Sequence, residues 1–110
     1  MPLTIRRMQA LVINDETLEL VLLHGWGMSS HIWHDWLPSL RRYAHVTLID
    51  LPGYGGSKPI SKLSLDDLLP QYLEHLPSKA IYLGYSLGGM LATQIAYRFP
   101  ERVSVLISLA

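Results

Sequence analysis

Short, nearly continuous apolar runs recur along the chain and predict β-strands. The strongest are 18–23 (LELVLL), 45–51 (HVTLIDL), 80–83 (AIYL) and 103–109 (VSVLISL). Apolar runs of this length are typical of strands that a parallel sheet buries on both faces. A weaker apolar pattern over 4–13 predicts one or two short edge strands.

Between these runs, apolar residues recur at helical spacing. The predicted helices are 30–43, which kinks or restarts at Pro38, 64–76, which bends at Pro70, and 89–99, which ends at Pro100. Proline lacks the N–H that a helix interior needs, so it marks a kink, a restart or an end. In the first helix, Trp33 and Trp36 are interpreted as core residues.

From residue 18 onward, the predicted strands and helices alternate, which indicates an α/β fold with a parallel sheet and helices on its faces. In such sheets, functional sites lie beyond the carboxyl ends of the strands. Three unusual loops follow predicted strands, at 24–27 (HGWG), 50–57 (DLPGYGGS) and 84–88 (GYSLG). We therefore expect these loops to converge on one edge of the sheet, called the carboxyl edge below.

Composition narrows the class of protein without identifying it. The chain has 110 residues, 49% of them hydrophobic, a net charge of zero and no cysteine. This length fits one small domain with a core. Zero net charge gives no support for a nucleic acid or an anionic membrane as partner. Without cysteine there is no disulfide and no thiolate metal site. With no apolar run of signal or membrane-span length, we expect a soluble cytoplasmic protein.

The segment Gly84–Gly88 reads G-x-S-x-G between a predicted strand and a predicted helix. In that context the pattern indicates a nucleophile elbow, a sharp turn that exposes a serine hydroxyl at the start of a helix. Gly84 and Gly88 leave room for the turn, and the helix amides beside Ser86 are placed to hold an oxyanion. The simpler alternative is an ordinary strand-to-helix turn, because the bare pattern also occurs by chance.

Taken together, the three loops resemble the α/β-hydrolase fold over nearly the whole chain. The matching segments are 22–27 (LLHGWG), 50–57 (DLPGYGGS), 84–89 (GYSLGG) and 99–103 (FPERV). Within that fold, 20–28 (LVLLHGWGM), 64–65 and 79–90 look most like the carboxylesterases of biotin synthesis, which remove the methyl ester from pimeloyl-acyl carrier protein. Those relatives often carry tryptophan where this chain has Tyr85.

The resemblance implies roles for particular residues. Ser86 would be the nucleophile of an acyl-enzyme mechanism, and the backbone N–H groups of Leu87 and Trp26 would form the oxyanion hole. The Trp26 indole is also expected to wall the acyl pocket. His24, Gly25, Gly84 and Gly88 would support the loops. No metal and no cofactor are implied, and the expected partner is an ester substrate bound to acyl carrier protein.

Other polar residues have simpler interpretations. His24 is expected to shape its loop rather than act as general base, and the resemblance implies a scaffold role for Asp50 rather than that of the catalytic acid. His31 and His34 are spaced as metal ligands could be, but no carboxylate cluster completes a site, so exposed helix positions are the simpler interpretation.

Two members of the expected catalytic triad are missing. The family's order is Ser, then Asp or Glu, then His. After Ser86 the sequence offers only Glu101, at the wrong end of the sheet, and no histidine. Residues 1–110 are therefore expected to be the N-terminal part of one α/β-hydrolase domain, without the cap and the C-terminal part.

Three functional alternatives stay open. The chain belongs to a carboxylesterase, or is an inactive fragment, or derives from another hydrolase such as a lipase or a carbon–carbon bond hydrolase. With its later neighbours missing, strand 103–109 would be an unpaired apolar edge. Such an edge predicts pairing with a complementary C-terminal half or self-association.

Overall fold

A five-stranded sheet forms the centre of the fold in the computed structural model, which describes residues 4–25, 29–50, 69 and 73–109. The strands are β1 (Thr4–Met8), β2 (Leu18–Leu23), β3 (Ala44–Asp50), β4 (Ala80–Tyr85) and β5 (Val103–Leu109). Their spatial order is β1-β3-β2-β4-β5. β1 runs antiparallel to β3, and all other neighbours are parallel. The predicted α/β fold with a mainly parallel sheet is confirmed.

The strong apolar runs form strands where the sequence predicts them. β2 and β5 have the predicted bounds, and β3 is shifted by one residue toward the N-terminus. β4 continues two residues past its prediction, because Gly84 and Tyr85 pair with Ser108 and Leu109 of β5. Within 4–13, one strand forms, over Thr4–Met8.

The helices lie on both faces of the sheet. A 3-10 helix spans Ser30–Trp36 and passes directly into α1 (Leu37–Leu40), with Pro38 in the first turn of α1. The restart predicted at Pro38 is thus confirmed, because proline is tolerated where a first-turn N–H has no helical acceptor. The elbow helix α2 spans Leu87–Arg98 and is followed by a 3-10 turn over Pro100–Arg102. The loop at 51–57 lies outside the described residues. Of the predicted helix 64–76, only residues 69 and 73–76 are described.

Alternating residues of β2 divide the core into two clusters. Val21 and Leu23 pack in the cluster that contains Leu91, Ala92 and Ile95 of α2. On the other face, residues 20 and 22 pack in the cluster that contains residues 33 and 37 of the helical segment after β2. Since successive side chains of a strand point to opposite faces, the two clusters are the two layers beneath the helices.

The prediction that Trp36 is a core residue is wrong. Trp33 is buried, but 48% of Trp36 is exposed, and its ring meets the Trp33 ring edge-on with centroids 5.6 Å apart. The helix changes from 3-10 to α geometry after Trp36. The next buried residue after Trp33 is therefore Leu37, one position later than the three-residue period of a 3-10 helix would place it.

The strand register brings three carboxyl ends into one row. Leu23 of β2 pairs with Ile49 of β3 on one side and with Gly84 of β4 on the other. Each of the three unusual loops therefore starts from the same edge of the sheet. Among the described residues, no helix is long and apolar enough to span a membrane.

Candidate active site

Ser86 occupies a strained backbone conformation between β4 and α2. Its φ is 54° and its ψ is −112°, and it is the one non-glycine residue with positive φ in the described part of the chain. These angles are close to those of the first central residue of a type II′ turn, a position dominated by glycine. A side chain held there costs about 1–3 kcal/mol, and strain of this kind is concentrated at functional sites.

Ser86 does not act as an ordinary helix cap. It occupies the N-cap position of α2, yet its side chain makes no capping hydrogen bond and the residue is exposed. A capping serine has extended backbone angles and accepts a hydrogen bond from an amide one turn into the helix. Among the described residues, the hydrogen bonds of Ser86 are made by its backbone: its N–H donates to Leu109 O at 2.8 Å and its O accepts from Met90 N at 3.1 Å. The alternative of an ordinary capped turn is therefore disfavoured.

The glycines on either side of Ser86 are required by close backbone approach. A Cβ added at Gly84 would lie 2.5 Å from the backbone N of Gly89, and one added at Gly88 would lie 2.5 Å from the carbonyl O of His24. No side chain fits within such distances of backbone atoms. The two glycines thus let β4, α2 and the end of β2 meet at the elbow.

The loop after β2 reaches the elbow at Gly25. A Cβ added there would lie 3.3 Å from Cβ of Ser86 and 2.9 Å from Cδ1 of Tyr85. The predicted convergence of this loop on the elbow is therefore confirmed for residues 24 and 25. Trp26, the expected second oxyanion donor, lies outside the described residues.

The first turn of α2 presents amide groups beside the serine. Met90 N–H is bonded to Ser86 O and so closes the first helical turn. The N–H groups of Leu87, Gly88 and Gly89 precede that bond, and such groups have no acceptor within their own helix. Leu87 follows the serine directly and is half-buried. Its N–H is the amide that the sequence analysis predicts as an oxyanion donor.

His24 and Asp50 form a buried polar pair behind the loop. His24 Nδ1 is 2.9 Å from Gly25 O, and His24 Nε2 is 4.0 Å from Asp50 Oδ1. Asp50 Oδ1 also accepts a hydrogen bond from Ser30 N at 2.8 Å. In the described part of the chain, the histidine ring nitrogens thus contact Gly25 and Asp50 rather than the Ser86 hydroxyl. These contacts suit side chains that hold the loop in place.

Arg6, whose side chain is half exposed, extends this polar network toward solvent, and the sequence analysis did not predict its role. Its Nη2 donates to Ser30 Oγ at 2.6 Å and lies 3.9 Å from Asp50 Oδ2. The contact joins residues 24 positions apart, and no local pattern marks Arg6 or Ser30 for it. A signal that could have indicated the contact is the placement of Arg6 on β1, because the neighbouring strand β3 ends at the acidic residue Asp50.

The remaining histidines lie elsewhere. His31 and His34 are exposed, as expected, and His31 Nδ1 is 3.0 Å from Ser29 Oγ. His45 Nδ1 accepts a hydrogen bond from Ala10 N at 3.1 Å, and His75 Nε2 is 3.9 Å from Glu74 Oε2. Among the residues described, no group of three or more His, Asp or Glu side chains could hold a metal ion.

Tyr82 is the one described group with a clearly shifted pKa. Burial raises the pKa of Tyr82 to about 12, against the opposing effect of the Arg102 charge. The Tyr82 hydroxyl is buried and has no hydrogen-bond partner among the described residues. It packs in the cluster beneath α2. Its chemistry belongs to the core rather than to the carboxyl edge.

A family model described as the alpha/beta hydrolase fold matches residues 20–110. The chain belongs to this α/β-hydrolase family. Two curated relatives are both pimeloyl-acyl-carrier-protein methyl ester esterases. The one from Salmonella newport strain SL254 is 43% identical over 91 residues, covering 83% of this chain and 36% of the relative. The one from Klebsiella pneumoniae strain 342 is 42% identical over 98 residues, which cover 89% of this chain and 38% of the relative.

Solved structures of α/β-hydrolases have the same fold. A hydrolase from Pseudomonas aeruginosa PA01 superposes with a TM-score of 0.74 at 30% identity, covering 92% of this chain and 38% of that one. A marine microorganism esterase superposes with a TM-score of 0.80 at 25% identity, and the match covers 96% of this chain and 40% of the esterase. The chain therefore spans little more than a third of the length of these curated relatives and no more than 40% of these two structures.

Proposed function

We propose that the chain supplies the nucleophile and part of the oxyanion hole of a serine carboxylesterase. The observation that carries the proposal is the backbone of Ser86, at φ 54° and ψ −112°, with an exposed side chain that caps nothing. A protein gains no stability from holding a serine in this way. The strain is understandable if the exposed hydroxyl has to attack a substrate at the carboxyl edge.

The reaction begins with attack of Ser86 Oγ on the ester carbonyl. The carbonyl oxygen becomes an oxyanion, which the Leu87 N–H and the positive end of α2 stabilise; Trp26 N–H is assigned as second donor through the family resemblance. Collapse of the tetrahedral intermediate breaks the bond to the alkoxy oxygen, which takes up the proton lost by Ser86 Oγ and leaves as the alcohol, while the acyl group stays on Ser86. Attack by water then releases the acid and regenerates the hydroxyl.

The methyl ester of pimeloyl-acyl carrier protein is the substrate we assign. The support is the name of the two relatives, which are 43% and 42% identical to this chain over most of its length. Methanol would then be the leaving group, and the product would be the free carboxylate on acyl carrier protein. A lipase or a carbon–carbon bond hydrolase would use the same elbow with a different acyl pocket.

The general base is the part of the mechanism that these residues do not supply. All five histidines of the sequence precede Ser86. Those at 24, 31, 45 and 75 contact other groups in the described part of the chain, and His34 is exposed on the 3-10 helix. A serine hydroxyl without a neighbouring base is a weak nucleophile. For residues 1–110 by themselves we therefore expect at most slow acylation of Ser86.

Acylation of Ser86 by p-nitrophenyl acetate tests the nucleophile. We expect intact-protein and peptide mass spectrometry to find one slow acetylation, at Ser86. This acetylation should be absent in the Ser86→Ala variant. It should be unchanged in the Ser39→Ala variant, which lacks a different exposed serine and serves as the matched control. Equal acetylation in the Ser86→Ala variant would rule out the assignment. The substrate is examined separately, by asking whether pimeloyl-acyl carrier protein methyl ester slows this acetylation more than acyl carrier protein alone does.

A further inference from the structure

The loop 24–30, which follows β2, is held at both of its ends by one side chain. Residues 24, 25, 29 and 30 of this loop are described. Asp50, the last residue of β3, accepts a hydrogen bond on its Oδ1 atom from Ser30 N at 2.8 Å. The same oxygen lies 4.0 Å from His24 Nε2. A single carboxylate oxygen at the end of a central strand therefore contacts the first and the last residue of the loop.

Arg6 adds a second connection at the far end of the loop. Its Nη2 atom donates to Ser30 Oγ at 2.6 Å and lies 3.9 Å from Asp50 Oδ2. Ser30 and Asp50 are buried, so water competes little for these contacts and each is stronger than it would be at the surface. The amide and the hydroxyl of Ser30 are thus bound to side chains from two different strands, β3 and β1.

At the near end of the loop, His24 extends this attachment to Gly25. A carbonyl oxygen can only accept, so the 2.9 Å contact of His24 Nδ1 with Gly25 O requires a proton on Nδ1. The Gly25 carbonyl belongs to the same planar peptide group as the N–H of the next residue. A hydrogen bond that fixes the direction of the carbonyl therefore fixes the direction of that N–H. The next residue is Trp26, to which the family resemblance assigns the second oxyanion donor.

Gly25 is also the residue at which the loop meets the elbow. A Cβ added to Gly25 would lie 3.3 Å from the Cβ atom of Ser86, so the two backbones are in close contact. Misplacement of a reacting or stabilising group by about 1 Å can lower a rate by about a hundredfold. The orientation of the Gly25 peptide is therefore a quantity that acylation of Ser86 should report.

We propose that Arg6, Ser30 and Asp50 are positioning residues for the oxyanion hole. They hold the loop 24–30 at both ends, and through His24 they fix the Gly25 carbonyl and with it the direction of the following amide. This role rests on the proposed function, because an oxyanion donor matters only in acyl transfer. It differs from a role in stability alone, since loss of these contacts weakens oxyanion stabilisation even in molecules that stay folded.

Two matched reagents separate the positioning role from stability. p-Nitrophenyl acetate develops an oxyanion, whereas p-nitrophenyl thionoacetate develops a negative sulfur, which is a weak hydrogen-bond acceptor. With either reagent the bond from Ser86 Oγ to the acyl carbon forms, the bond to p-nitrophenolate breaks, and the serine proton passes to water. A loss of folded protein lowers both rates equally and leaves the ratio of ester to thionoester rates unchanged. A displaced oxyanion donor lowers that ratio, because the ester loses more.

Arg6→Gln and Ser30→Ala are the most informative variants, because each removes the contact between these two side chains and leaves the Asp50 carboxylate in place. Each should lower the ratio by about tenfold, less than the hundredfold or more that loss of a whole oxyanion donor costs. Arg6→Lys, which can still donate to Ser30 Oγ, should recover part of the ratio.

Arg7→Gln is the matched control. Arg7 is the next residue of β1, and 46% of its side chain is exposed, against 49% for Arg6. Since successive side chains of a strand point to opposite faces, Arg7 lies on the other face of the sheet, where it donates to Glu19 Oε2 at 2.6 Å. The variant loses an arginine of similar exposure from the same strand and should leave the ratio unchanged.

The carbonyl ¹³C resonance of Gly25 gives a second readout that needs no activity. A weaker hydrogen bond from His24 changes the electron density of the carbonyl, so the resonance should move in Arg6→Gln and in Ser30→Ala. It should stay in place in Arg7→Gln. Cooperative urea unfolding of each variant shows that the spectra are those of folded protein.

The two readouts keep the positioning role distinct from the proposed function. If p-nitrophenyl acetate does not acetylate Ser86 in the unmodified chain, the proposed function fails, and the Gly25 resonance decides the positioning role by itself. If Arg6→Gln and Ser30→Ala have the same rate ratio as Arg7→Gln, or if the Gly25 resonance does not move in them, these contacts serve stability alone and the positioning role is wrong.

Discussion

Ser86 and Leu109 are joined by a backbone hydrogen bond of 2.8 Å, from the serine N–H to the leucine carbonyl. The bond ties the strained residue of the elbow to the last residue of β5. The strained conformation of Ser86 is thus held by its surroundings, since β4, the start of α2 and the end of β5 meet at this residue. Removal of the side chain should relieve the strain only if the new residue tolerates a positive φ.

Ser86→Gly and Ser86→Ala are expected to differ in stability for this reason. Alanine keeps the strained Cβ, whereas glycine adopts φ 54° without steric cost. After allowance for the greater entropy of glycine in the unfolded chain, Ser86→Gly should be the more stable variant by about 1 kcal/mol. Urea unfolding of the two variants gives the comparison. If Ser86→Ala is at least as stable, the elbow is not strained.

Gly88→Ala is expected to be severely destabilising, although alanine is the better helix former. The added methyl group would collide with the backbone of Leu23 and His24, and neither can move without separating β2 from α2. We expect a loss of about 3 kcal/mol or more in the free energy of unfolding. Ala96→Gly, in the same helix, is the matched control, with an expected cost of about 1 kcal/mol. Similar losses in both variants would contradict the close approach.

Asp50→Ala should destabilise the fold by leaving the buried Ser30 N–H without its acceptor. The expected cost is about 2–3 kcal/mol, since an unpaired buried donor retains its desolvation penalty. Asp50→Asn, which keeps an acceptor oxygen, should cost less. Asp35→Ala is the exposed control and should stay within about 0.5 kcal/mol of the unmodified chain. Chemical denaturation of the three variants measures the differences; no loss in Asp50→Ala would show that water replaces the carboxylate.

The sequence predicted the sheet well because its strongest patterns are local. Strand 103–109 is a mainly apolar run, interrupted by Ser104 and Ser108, that follows a turn, and its bounds are those of β5. The sharp strand-to-helix turn at Ser86 was likewise predictable, because its glycines, its serine and its flanking strand and helix are adjacent in the chain. The carboxyl edge followed from one topological rule for parallel strands.

The polar network around Asp50 was not predictable, because its contacts are long-range. Arg6, Ser30 and Asp50 belong to different elements, and each is an ordinary polar residue in its own segment. Trp36 was misassigned for a different reason. Its burial depends on where the helix changes from 3-10 to α geometry, which the apolar pattern does not reveal.

Tyr82 predicts how stability depends on pH in alkaline solution. Burial raises the pKa of Tyr82 from 10.0 to about 12, so the folded state holds the hydroxyl proton more tightly than the unfolded chain does. The stability that the folded state gains from this proton is fully present below pH 10 and is lost as the pH rises toward 12. Its total is about 2–3 kcal/mol.

The Tyr82→Phe variant tests this pH dependence. Phenylalanine does not titrate, and the substitution gives up no hydrogen bond, since the hydroxyl has none in the described structure. Below pH 10 the variant should already be the more stable of the two, by about 1–3 kcal/mol, because it removes an unpaired buried hydroxyl, and the difference should grow as the pH rises above 10. Urea unfolding from pH 8 to 11, with tyrosinate absorbance followed in parallel, makes the comparison, and parallel curves for the two proteins would mean that Tyr82 reaches solvent.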